Sequence, residues 1–165
     1  MNGTPSPLDR HNVTFIETIE FVGELNEKLY KRNYSNLNPN AVHMGLVFLK
    51  SMDKMSLIDH FIERTYDFWD QVVKQEERYF IKYAKDIFQE LDGLGIGDIF
   101  VNCFTSKDSA GNPIVDKEDR DLLWVYFGAL IKISINHINQ TRKSNPSYHS
   151  KVNLETSASM WKMKI

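Results

Sequence analysis

The sequence predicts an all-α fold: one helical bundle domain of about five or six helices around a central apolar helix, with extended N- and C-terminal arms. Three observations predict it. Apolar residues recur every three or four positions over most of the chain. Ser, Thr, Asn and Asp stand just ahead of those runs, where helix caps belong. One stretch, LLWVYFGALIKISINHI from Leu122 to Ile138, is apolar nearly all round, the pattern of a helix at the centre of a bundle.

In chain order, residues 1–11 carry Gly3, Pro5 and Pro7 and read as an extended arm; the domain spans 12–143, and 144–165 form a tail. Thr14 and Glu17 have capping-box spacing, and Phe15, Ile19, Val22, Leu25 and Leu29 follow on one helical face. Asn38 and Pro39 suit the cap and first position of a second helix, expected to turn Ala41, Met44, Val47, Phe48 and Met52 inward. Ser56 and Asp59 are a second capping pair, ahead of Leu57, Phe61, Ile62, Thr65, Phe68, Trp69, Val72 and Val73. A fourth run spans Tyr79 to Leu91; the link KQEE holds no Gly or Pro, so the two runs form one helix or meet at a tight corner. TSKDSAGNPIV reads as a polar turn or small hairpin, and the last long helix begins near Asp116.

The motifs carry little chemistry. ELDGLGIGDIF places glycines at 93, 95 and 97, but after an amphipathic helix rather than a strand, with Asp98 where a phosphate loop needs a third glycine. The expected reading is a helix C-terminus at Gly93, a turn through Gly95 and Gly97, and a cap at Asp98. DSAGN fails as a calcium loop, because Lys117 takes the place of the bidentate glutamate. Asp59, Glu63, Asp67 and Asp70 follow one stripe, expected to be a solvated face. A helical metalloenzyme would use Glu63, His60 and the distant His137, but His60 precedes Glu63, the reverse of Glu-x-x-His, and no second His/Glu pair supports it. His43, His60 and His137 lie on predicted helices, and His11 and His149 in predicted arms. Cys103, the only cysteine, lies in the apolar run IFVNCF and reads as a buried, inert thiol.

With 165 residues, 42% hydrophobic and 25% charged, the chain is long enough for one ordinary core. A net charge of −2 without a basic stripe argues against nucleic acid as partner. Lys132, Asn136 and His137 interrupt the most apolar stretch, so no membrane span is expected. MNGTPSPLDRHN lacks the features of a signal peptide, a lone cysteine fits a reducing compartment, and an intracellular, cytoplasmic location follows; the sequons at Asn2, Asn12, Asn33 and Asn139 then read as incidental.

The tail ends in MWKMKI. Met160, Trp161, Met163 and Ile165 are apolar, alternating with Lys162 and Lys164 after a polar stretch, which suggests docking on a partner, on another copy or back on the domain. These four are the candidate partner-binding residues. No catalytic, cofactor-binding or metal-binding set is assigned. The expected function is a non-enzymatic interaction or structural protein that docks into a larger assembly, its partner a protein or a homo-oligomer. The alternative is an adaptor or regulator whose bundle groove takes a partner helix. The Asn-, Lys- and Ile-rich composition, with NPNAVHMGLVFLKSMDK, FIERTYDFWDQV and SKDSAGNPIV, resembles small uncharacterised helical proteins of large nucleocytoplasmic DNA viruses. That resemblance spans residues 38–143 and implies a virus-encoded accessory or virion-associated protein.

Overall fold

Serine before proline sets where the chain first becomes helical. The computed structural model describes residues 3–87 and 96–165. Its described residues form an all-α fold, with a single antiparallel bridge between Lys107 and Pro113. The first helix, α1, spans Pro7–Lys31. Ser6 caps it, its side chain accepting from the Asp9 backbone N–H, with Pro7 in the first turn, where its missing N–H costs nothing. The N-terminal arm is therefore shorter than the expected 1–11. Thr14 lies inside the helix, its hydroxyl neighbour Thr18 bonding back to the Thr14 carbonyl, so it caps nothing.

Helix α2 spans Pro39–Ser51 and starts as expected, with the Asn38 side chain accepting from the Asn40 N–H. Its inward face differs from the expectation. Val42, Gly45, Leu46 and Leu49 are buried, while Met44, Val47 and Phe48 face out. The helix is apolar on two faces, and the choice between them falls to its contact with α1. There Gly23 lets Val42 come so close that a Cβ on Gly23 would sit 2.9 Å from Val42 Cγ1. The α1–α2 connection is clamped by buried Asn26, which donates to the Leu37 carbonyl and accepts from the Ser35 hydroxyl.

Helix α3 spans Lys54–Thr65 and is capped by Asp53, which accepts from the Ser56 N–H; the expected pair Ser56–Asp59 lies within the helix. A 3-10 turn at Tyr66–Phe68 leads into α4, Trp69–Val73, and α5 is Glu77–Ile87. The two predicted runs thus meet at a corner. Gln75 takes a left-handed φ of 54°, and the N–H groups of Gln75 and Glu76 return to the carbonyls of Val72 and Gln71. The expected positions Phe88, Leu91, Gly93 and Gly95 lie outside the described residues. Helix α6, Ile96–Thr105, already contains Gly97 and has Asp98 in its first turn, so neither forms the expected turn and cap. Asp108 then closes a tight turn by accepting from Ala110 and Asn112 N–H groups.

Helix α7, Lys117–Thr141, is capped by Asp116. It packs against α1, α3, α4 and the last helix, α8 (Leu154–Met160), and through the rings of Trp124 and Phe127 against Phe80 of α5 and Phe100 of α6. The core gathers around it: Leu123, Leu130, Ile131, Ile135 and Ile138 join Ile19, Val22, Leu25 and Leu29 of α1. The tail is structured rather than extended. Asn153 caps α8, Leu154–Met160, and Trp161 lies over Gly128, where a Cβ would stand 3.2 Å from its ring. Among the described residues, no helix is long and apolar enough to cross a membrane.

Candidate functional site

Two places in the described structure gather unusual residues. The first is polar and joins the C-terminal segment to α3 and α7. Asp59 on α3, placed by the sequence on a solvated stripe, instead accepts from the Tyr148 hydroxyl and from His149 Nε2 at 3.0 Å through the same oxygen, Oδ1. Tyr148 in turn lies 3.0 Å from Nε2 of His137, on α7. A carboxylate only accepts, so His149 carries its proton on Nε2; the phenol donates to Asp59, so His137 Nε2–H donates to the phenol oxygen. Burial, reinforced by the Asp59 bond and charge, pushes the Tyr148 phenol well above its ordinary range. Burial lowers His137, with Asp59 opposing and His149 adding to the shift.

The backbone carrying these groups is held from α7. Arg142 donates to the carbonyls of Tyr148, His149 and Val152 at 2.6–2.9 Å. His149 sits at a left-handed φ of 44°, a conformation that persists only where the surroundings fix it. A cleft of about 320 Å³ opens beside it, lined by Glu63, Tyr66, Asp67, Ser147 and Lys151 among others. Deeper in, His11 is fully buried between Phe15 and Phe61, at ring separations of 5.9 and 5.1 Å. Neither of its nitrogens has a hydrogen-bond partner among the described residues. Burial, with His137 adding, takes its pKa down to about 3.

The network fixes the last segment onto the helices. His149 spends its Nε2–H on Asp59 and His137 spends its own on the Tyr148 phenol, which is a poorer acid than in water. Glu63, His60 and His137 do not come together: among the described residues no group of three or more His, Cys, Asp or Glu side chains is placed to hold a metal. Cys103 is buried and its thiol is pushed up to about 12 by burial, with Asp119 adding.

The second place is apolar and exposed. Met44, Val47 and Phe48 on α2 are 68%, 70% and 49% exposed, three large side chains at adjacent positions of one helical face. Beside them an open groove of about 450 Å³ runs between α1 and α2. Its α2 wall is Val42, His43, Leu46, Val47 and Lys50; its α1 wall is Glu20, Gly23, Glu24 and Glu27. Surfaces of this kind mark interaction sites far more often than scattered apolar residues do.

The candidate residues of the tail lie elsewhere. Trp161 and Met163 are partly buried and pack on the core, and Trp161 Nε1 is buried with no partner among the described residues. Met160 is also partly covered, and Ile165 is half-exposed. A Schellman turn at Lys162 directs the chain back, with the Met163 N–H bonded to the Ala158 carbonyl at 2.7 Å.

No protein-family model, curated protein or solved structure matches this chain.

Proposed function

We propose that this protein is an interaction module that docks a helical segment of a partner protein on the outer face of α2. The carrying observation is the second apolar face of that helix. A helix apolar nearly all round belongs in an interior. Here one side, Val42, Leu46 and Leu49, packs inside the fold, while Met44, Val47 and Phe48 remain in water, and Val47 also lines the open groove against α1. Burying one such side chain fully stabilises a complex by roughly 1.5–3 kcal/mol, so three adjacent ones supply a useful binding core. Partner helices seat in grooves through this kind of i, i+3, i+4 pattern. The four tail residues support an interaction role less directly, since Trp161 and Met163 already pack on their own core.

The test uses helical peptides selected on the full chain from a displayed library. Val47→Asp with Phe48→Asp alters only exposed positions of α2 and leaves its buried face intact. That double variant should lose at least about tenfold in affinity, about 1.4 kcal/mol. Trp161→Ala with Met163→Ala should bind as the parent chain does, with circular dichroism reporting the helix content of both. The reverse pattern would place docking on the tail.

A further inference from the structure

We propose that the helix docking on α2 is a basic amphipathic one, its apolar face on Met44, Val47 and Phe48 and its lysine or arginine edge along α1; this rests on the docking site proposed above. The α1 wall carries the argument. Glu17, Glu20, Glu24 and Glu27 are all exposed and recur at intervals of three, four and three, so they form one ridge. At the helical rise the ridge is about 15 Å long, the length of three turns of a partner helix. Glu20, Glu24 and Glu27 line the same groove as Val42, Leu46 and Val47.

Internal cations offset only part of this charge. Glu27 pairs with Lys31 at 3.0 Å, both exposed. Glu20 and Glu24 have no hydrogen bond or ion pair among the described residues. Across α1, Glu17, Glu24 and Glu20 add to burial in holding the Tyr126 phenol above its ordinary range. The opposite wall offers Lys50 and His43 against three carboxylates. The groove thus sets Val42, Leu46 and Val47, with one lysine and one histidine, against three carboxylates, and its complement is a helix that is apolar on one face and basic on the adjoining edge.

Other occupants fit this charge poorly. Anionic lipid and nucleic acid would both meet the glutamate ridge with repulsion. A second copy in a two-fold contact would match the face to itself, acidic wall included.

Two peptides of about eighteen residues separate the possibilities. Both carry the same leucine face, one with lysines along the adjoining edge and the other with glutamates. Fluorescence anisotropy with the full chain should show the lysine peptide binding at least tenfold tighter, with the gap narrowing as salt rises. Glu20→Lys with Glu24→Lys should reverse the preference, and Val47→Asp with Phe48→Asp should abolish binding of both. Equal affinities that are both lost in the aspartate variant would overturn the basic partner and leave docking on α2 standing. Binding indifferent to the aspartate variant, or no binding by either peptide, would overturn both readings. Binding to vesicles of anionic phospholipid through the same face, or self-association lost in the aspartate variant, would replace the basic helix with a membrane or a second copy.

Discussion

His11 illustrates how the fold overrides a residue's usual preference. Its ring lies between Phe15 and Phe61 with both nitrogens unpartnered among the described residues, and the folded chain keeps it neutral, with a pKa near 3. The unfolded value is about 6.5. Between those values the unfolded chain binds a proton that the folded chain does not, so stability falls as pH drops through the window, by up to about 1.4 kcal/mol per unit. His137 is lowered too, and acts in the same direction. His11→Leu keeps the volume, removes two unpaired polar atoms and removes the titration. Between pH 6.5 and pH 5, urea denaturation should show the variant losing about 1.6 kcal/mol less than the parent chain. Equal losses would contradict the assignment. This burial was partly legible: His11 stands four before Phe15 and continues the period of Ile19 and Val22 backwards. The two prolines ahead of it read as an arm, whereas Ser6 and Pro7 are a helix start. The Asp59–Tyr148–His149 cluster was not legible. It joins positions some ninety residues apart, and periodicity carries no long-range pairing.

At the scale of elements, caps decided what the sequence showed. The start of α2 is legible because Asn38 and Pro39 stand together ahead of an apolar run, and the start of α7 because acids gather from Asp116 onward. The corner at Gln75 is only one of two readings in the sequence, and the turn at Lys162 is hidden, because neither carries the glycine that usually marks a left-handed helix end; Asn33 ends α1 in the same way. An L-residue there bears a steric cost that glycine avoids. Gln75→Gly should therefore raise stability by roughly 0.5–1 kcal/mol in chemical denaturation, its extra unfolded-state entropy offsetting part of the gain. A loss would mean that the Gln75 side chain stabilises the corner. Helix α2 shows the opposite failure. Its cap was legible but its inward face was not, because a helix with two apolar faces gives periodicity two answers. Gly23 on α1 holds the deciding information, since the close approach of Val42 depends on its lacking a Cβ.

Over the whole molecule, the two chain ends and one surface helix define the functional reading. The C-terminal segment is tied to α7 and α3 by Arg142, the Asp59 cluster and the Trp161–Gly128 contact, so most of its apolar residues are already engaged. The all-α class was legible, because apolar residues at helical spacing report burial directly. The exposed apolar face of α2 was not, because an exposed apolar residue and a core residue look alike in a sequence. The proposed role turns on that face. Amide hydrogen exchange on the full chain, with and without the lysine-edged peptide, tests it most directly. Docking on α2 predicts added protection across residues 39–51 and the outer side of 17–31, with none across 154–165. Protection confined to 154–165, or no local protection at saturating peptide, would contradict it.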